Sequence, residues 1–507
     1  ALIACTDDSR QTEQPSPVVV VGIDGASWTA IHQLWDRGEL PHLRDLAEEG
    51  VAANLKPVAA ESPVIWTSMA TGVVPERHGI TNFVIPTANG DVPVTSEFRR
   101  VPAIWNMAST VGLRVAALGW WASWPAETIN GVLVSDRVLR GLEDDMWPPE
   151  FAQTFEELVS VQQNATSGSV TPQIERQDLA MAAVARHLVD QDFDLLMVYL
   201  RSVDAESHPY WKYFRPQDFA QVDPDLLALH GDRVSAAYAA VDCVIGDLRA
   251  GADPRSQFFI ISDHGFHAVK RGQYRLRLDF DRVLEHLGYL QYDDSGIDWS
   301  RTRAATWNSA PGMRIRLVKL GLSSRDPAGP VSPNDRDQLR DRLATDLAEV
   351  TYDTGAPAFR VREPRKAERL RGADLTVVIR QEQVSKGLEY RGEVLPVRVN
   401  LLHEITGTHD ANTEGIFIAH GPDIDPESTV DLVHTLDVAP TLLYAMTLPI
   451  AQNFDGKPQV ELFRGEFRRR YPVRTIPSWR TRQTGATSGS EADEALLDEL
   501  RALGYLD

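Results

Sequence analysis

Val18-Val19-Val20-Val21-Gly22-Ile23 is a short run of branched aliphatic residues, entered through Pro17 and left through Asp24 and Gly25. Its length is that of a strand. A run apolar at every position, rather than at alternate ones, predicts burial on both faces, as in a parallel sheet covered by helices. Comparable runs recur at Arg114 to Leu118, Gly131 to Ser135, Asp194 to Leu200, Gln257 to Ile261 and Gly415 to Ala419, with helical patterns such as Ala180 to Val189 and Asp232 to Ala250 between them. The alternation predicts an α/β fold, a mostly parallel sheet sandwiched by helices.

From 270 to 400 this rhythm weakens. A helix is expected at Asp335 to Ala348 and turns at segments such as Asp326-Pro327-Ala328-Gly329-Pro330. This stretch reads as an inserted subdomain, with a return to the main sheet near Gly407. The expected division is a tether over 1–16, a core over 17–269 and 401–460, the insertion over 270–400, and a C-terminal extension over 461–507. Leucines at 496, 497, 500 and 503 predict that the extension ends in a docked helix.

A formal net charge of -21 argues against a nucleic-acid-binding surface, which needs clustered Lys and Arg, but is compatible with a small phosphorylated substrate, since bound cations invert the local field. With 2 cysteines the chain can build neither a disulfide framework nor a Cys-rich zinc site, so any metal must be held by Asp, Glu and His. Ala1-Leu2-Ile3-Ala4-Cys5 resembles the end of a bacterial lipoprotein signal. The expectation is an exported protein, periplasmic or at the cell surface, tethered to the membrane through a lipidated Cys5.

Open α/β sheets bind ligands at the carboxyl ends of their strands. Asp24 follows the first strand, Asp204 and His208 follow Leu200, Asp263 and His264 follow Ile261, and His409 lies in Thr406-Gly407-Thr408-His409-Asp410. Alone, each is most simply a turn residue, a cap or a hydrogen-bonded histidine. Together, three aspartates and three histidines at strand ends are what a mixed carboxylate and imidazole metal site requires. Asp204 and His208 are spaced to share a helical face, whereas the adjacent Asp263 and His264 need an irregular loop to reach one ion.

Ser62-Pro63 precedes the apolar stretch Val64-Ile65-Trp66-Thr67-Ser68-Met69-Ala70-Thr71-Gly72 and reads as an N-cap with proline at the first helical position. A hydroxyl there also lies in a field that favours its alkoxide, which suits a nucleophile.

Val21 to Gly25, Ser62 to Ile80, Ser262-Asp263-His264-Gly265 and Gly407-Thr408-His409 resemble, in chain order, the motifs of the alkaline-phosphatase superfamily, in particular its type I phosphodiesterase and nucleotide-pyrophosphatase branch. The resemblance spans residues 18 to about 422. It implies two divalent ions, zinc or, with much the same ligands, manganese. Asp24, Asp263 and His264 would hold one beside the nucleophile Ser62, and Asp204, His208 and His409 the other. It also implies an asparagine touching a phosphoryl oxygen, for which Asn82 stands one residue early. The implied reaction is hydrolysis of phosphodiesters or nucleotide pyrophosphates through a phosphoserine. A phosphomonoesterase or phosphomutase on the same residues, and a ligand-binding lipoprotein without turnover, remain alternatives.

Gly119-Trp120-Trp121-Ala122-Ser123-Trp124-Pro125-Ala126 and Ile297 to Ala304 resemble a bacterial branch of phosphohydrolases or phosphomutases. Residues 62 to 66 lack the Cys/Ser-x-Pro-x-Arg motif of sulfatases. Trp120, Trp121 and Trp124 read as packing, Arg201 and Lys212 as solvated, and His78 as a structural turn residue.

Overall fold

Every residue of Val18–Ile23 (β1) is buried, and successive side chains enter opposite layers. Val18 and Val20 join one apolar core, and Val19, Val21 and Ile23 join another. The computed structural model describes residues 15–87, 90–160, 172–293, 296–307, 314–326, 328–365, 368–369 and 372–479. Cys5 and the expected terminal helix lie outside the described residues.

After β1 the chain supplies Val51–Lys56 (β2), Val115–Leu118 (β3), Gly131–Val134 (β4), Met146–Trp147 (β5), Leu195–Leu200 (β6) and Gln257–Ile261 (β7). His267–Leu278 (β8), Glu393–Thr408 (β9), Gly415–His420 (β10) and Leu432–His434 (β11) follow. All but β8 and β9 form one 9-stranded sheet in the order β11-β2-β10-β7-β1-β6-β3-β4-β5. β7, β1, β6, β3 and β4 are parallel, and β2 pairs in parallel with β11. Only β10 and β5 run against their neighbours. The six predicted strands are all present in it, and the predicted helices are found at Pro172–Leu188 and Arg233–Gly251.

β2 was not anticipated. Its Ala-Ala-Asn centre has weak strand propensity, and it alternates buried and exposed positions instead of presenting a continuous apolar run.

Residues 270 to 400 contain more strand than their rhythm suggests. β8, β9, Gly387–Tyr390 and Val350–Tyr352 form a 4-stranded antiparallel sheet, and Ala304–Trp307, Ile315–Leu320, Leu375–Ile379 and Phe359–Arg362 form another. Ile315–Leu320 shows why the signal is faint, since only every second residue is fully buried. With helix Arg336–Ala348 these strands enclose their own apolar core, drawn from residues between Leu276 and Val399. The main sheet resumes at Gly415 and not near Gly407, because Gly407 and Thr408 still pair with Ala268 and His267.

Candidate active site and metal centre

The carboxyl ends of β1, β6 and β7 are neighbours in the sheet, so the residues that follow them meet. Asp24 continues β1, its N–H donating to Leu200 O at 2.9 Å. Gly25 then turns the chain with φ 71°, and a Cβ there would come within 2.9 Å of Asp204 Cβ. Only glycine combines that backbone with so close an approach. The Gly25 N–H donates to Asp263 Oδ1 at 3.2 Å, and the Ala26 N–H donates to Ser262 Oγ at 2.8 Å, so the loops after β1 and β7 are bound together.

Ser62 begins helix Ser62–Thr71 (α1), every residue of which is buried. The N-cap is Glu61, one residue earlier than expected, and Pro63 is the second helical residue. Ser62 Oγ is therefore not spent on capping. It lies 3.5 Å from Asp24 Oδ1 and 3.4 Å from His264 Nε2. Val64 and Ile65 N–H both donate to Glu61 O, and Pro63 has no N–H to give.

Helix Ser202–Phe214 (α2) carries Asp204 in its first turn and His208 one turn later. Pro209 interrupts the helical ladder, and Thr406 of β9 enters the gap. Lys212 N–H donates to Thr406 Oγ1 at 3.1 Å, and Thr406 Oγ1 donates to Pro209 O at 2.9 Å. That junction brings His409 beside α2. His208 Nδ1 donates to Gly407 O at 3.1 Å and His264 Nδ1 to Gly265 O at 3.0 Å, so both rings turn Nε2 lone pairs toward the carboxylates.

Two groups result. Asp24, Asp263 and His264 offer ligand atoms within 4.8 Å of one another, and so do Asp204, His264 and His409. His264 is common to both, its ring stacked on His409 at a centroid distance of 3.4 Å. His208 stands beside the second group, with Nε2 3.6 Å from Asp204 Oδ1. Asn82 lies elsewhere in character. It is exposed, and its Oδ1 accepts the Phe83 N–H at 2.7 Å.

The charge balance asks for a cation. Burial, reinforced by Asp263 and Asp204, pushes Asp24 well above the usual carboxylate range, and burial raises Asp263 as well. Burial, with His264 and His208 nearby, pushes His409 well below its usual value, and its Nδ1 is buried without a hydrogen-bond partner. Buried carboxylates that resist ionisation, facing the His409 imidazole that resists protonation, form with His264 a nitrogen and oxygen donor set suited to divalent ions.

The sequence profile of the type I phosphodiesterase / nucleotide pyrophosphatase family matches residues 18–410. The chain belongs to this family. It is accordingly a phosphoric ester hydrolase, and the matched span begins at β1 and ends just beyond His409. No curated protein matches the chain. Among solved structures, murine ectonucleotide pyrophosphatase / phosphodiesterase 5 aligns with a TM-score of 0.46 at 16% identity, covering 87% of this chain and 98% of that one. Phosphonoacetate hydrolase from Sinorhizobium meliloti aligns with a TM-score of 0.44 at 15% identity, covering 86% and 96%.

Several residues around this phosphodiesterase-family site differ from expectation. Arg201 is buried, not solvated, with its guanidinium 4.8 Å from the Trp121 ring centre. Lys212 is half-buried and pairs with Glu404 at 3.4 Å. Trp120 and Trp121 are packing residues, as expected. Trp120 Nε1 donates to Trp66 O at 3.1 Å, and Trp121 Nε1 donates to the Tyr199 hydroxyl at 2.6 Å. Trp124, less deeply placed, donates to Glu143 O at 2.9 Å. His78 is fully buried, accepting the Ile80 N–H on Nδ1 at 3.2 Å and bonding Ser68 Oγ through Nε2 at 2.9 Å. Tyr199, whose hydroxyl donates to Asp24 Oδ2, was missed, because an aromatic residue inside a strand carries no sequence signal of a polar task.

Proposed function

We propose that this protein hydrolyses phosphodiesters or nucleotide pyrophosphates through a phosphoserine formed on Ser62. The observation that carries the reading is the position of Ser62 Oγ, uncommitted to a helix cap and within 3.5 Å of both Asp24 Oδ1 and His264 Nε2. Asp24, Asp263 and His264 would hold one divalent ion, and Asp204 and His409 the other, with His208 or His264 completing the set. Zinc suits these donors best and manganese accepts them. Bound ions supply positive charge for the alkoxide, the leaving oxygen and the phosphoryl oxygens.

The chain's own residues do the rest. Ser62 Oγ forms a bond to phosphorus as the bond to the leaving oxygen breaks, and the leaving group departs as an alcohol or nucleotide. Water then attacks the phosphoserine, releasing the phosphorylated product and restoring the hydroxyl. Phosphoryl transfer depends chiefly on positioning and charge stabilisation, so the lack of a separate acid and base dyad in this reading is no obstacle.

The test compares aryl phosphate diesters and monoesters as substrates for wild type, Ser62→Ala and chelator-treated protein, with metal content by mass spectrometry. Diester preference, loss of turnover in Ser62→Ala and recovery on adding Zn2+ are expected. Full activity in Ser62→Ala, or after complete metal removal, overturns the mechanism. Preference for monoesters would favour a phosphomonoesterase on the same residues.

A further inference from the structure

Tyr199 lies opposite Gly22 in the register of β1 and β6. Paired residues in adjacent strands point to the same face, and Asp24 is two residues beyond Gly22, so it shares that face too. Because Gly22 has no side chain, the face is open there, and it is filled by Trp66 of α1. A Cβ on Gly22 would come within 2.8 Å of Trp66 Cζ3. Tyr199 packs edge-on against the same Trp66 at 4.8 Å, and its hydroxyl reaches Asp24 Oδ2.

The direction of this hydrogen bond is fixed by what lies behind it. An indole N–H can only donate, and Trp121 Nε1 donates to the Tyr199 hydroxyl at 2.6 Å. The phenolic proton is thereby aimed at Asp24. Oδ2 of that carboxylate is occupied, while Oδ1 faces Ser62 Oγ at 3.5 Å and His264 Nε2 at 3.4 Å.

We propose that Tyr199, itself held by Trp121, is a positioning residue that fixes Asp24 as a ligand through Oδ1 alone for the ion beside Ser62. The inference rests on the two-ion reading above. Hydroxyl and carboxylate partners behind a metal ligand set its orientation, and losing one typically lowers metal affinity about 10- to 100-fold. Tyr199 hydrogen-bonds Asp24, which belongs to the group with Asp263 and His264 and not to the group with Asp204 and His409, so the effect should fall on one ion and not on both.

The experiment titrates the Zn2+-loaded full-length protein with a chromophoric chelator and follows release of each ion, in wild type, Tyr199→Phe and Trp121→Phe. Tyr289→Phe is the control, because it removes a like hydrogen bond from a buried tyrosine to Asp346 Oδ2, at 2.6 Å, away from the site. The expected result is that Tyr199→Phe loses one ion at about 10- to 100-fold lower chelator and holds the second as wild type does. In the same variant kcat falls more than KM changes. Trp121→Phe shifts the same ion in the same direction by less, and Tyr289→Phe shifts neither. Equal weakening of both ions, or unchanged affinity in Tyr199→Phe, overturns the proposal while leaving the two-ion site standing. If Tyr199→Phe does not fold, unchanged ion affinity in Trp121→Phe overturns it. Wild-type protein that binds no Zn2+ removes the functional reading and this inference together.

Discussion

His78 should make this protein acid-labile by an amount that can be isolated from every other titrating group. The ring is fully buried, with Nδ1 accepting from Ile80 N–H and Nε2 bonded to Ser68 Oγ, whose own proton goes to Val64 O at 2.8 Å. A second ring proton would face the Ile80 N–H. Burial, aided by the Arg99 charge, pushes His78 down from 6.5 to about 3. Between those values the unfolded chain binds a proton that the native protein does not, so stability rises with pH across that window and is lost as pH falls from about 6.5. Each unit is worth about 1.4 kcal/mol, so at pH 4.5 His78 alone removes roughly 3 kcal/mol. His78→Gln keeps an amide near Ser68 but cannot titrate. Urea unfolding at pH 7.5 and pH 4.5 should show the wild type losing about 3 kcal/mol more than the variant between the two conditions. At pH 7.5 the variant itself should be less stable by about 1–3 kcal/mol, for the Ile80 N–H left without its acceptor. Equal losses on acidification in both proteins would refute the reasoning.

Three further outcomes are expected. Ser62→Ala should lower aryl phosphodiester turnover by about 10³-fold or more while retaining its bound metal, as read by kinetics and mass spectrometry on one sample. Gly22→Ala should destabilise the protein by about 1–3 kcal/mol in thermal melts, because neither β1 nor the buried Trp66 can retreat from the added methyl group. Zn2+ should raise the melting temperature of chelator-treated protein more at pH 8 than at pH 5. Asp24 and Asp263 are raised above 3.8 by burial, so without ions their own contribution to stability falls as pH rises above that value, and a bound cation removes that loss. An equal gain at both pH values would count against these aspartates as ligands.

What the sequence disclosed follows from where the physics is local. The strands of the main sheet are apolar at successive positions because both faces are covered, and that pattern survives in a single chain. The strand-end aspartates and histidines were legible for the same reason, since a strand's end fixes the residues that follow it. The strands between 270 and 400 alternate and are stabilised by partners far along the chain, as Phe359–Arg362 is by Leu375–Ile379, so their pattern alone was ambiguous. The family resemblance places His264 in one set of ligands, yet its ring stacks on His409, a contact that no spacing predicts. Tyr199 required the register of two strands, and the burial of Arg201 required the Trp121 ring above it.

The antiparallel ladder of β8 and β9 has an evolutionary corollary. The chain leaves the vicinity of His264 along one strand and returns to His409 along the other, with His267 paired to Thr408 at the base. The smaller unit is thus carried on a two-stranded stem whose root is the site. Register shifts between Ala268 and Gln273 and between Arg275 and Leu276 break the stem's regularity above that root. Lengthening, shortening or replacement of sequence toward the tip can be absorbed at those irregularities without moving His409. A lineage could therefore trade the tip for another while inheriting the chemistry unchanged, whereas a cut between 269 and 401 would sever the stem itself.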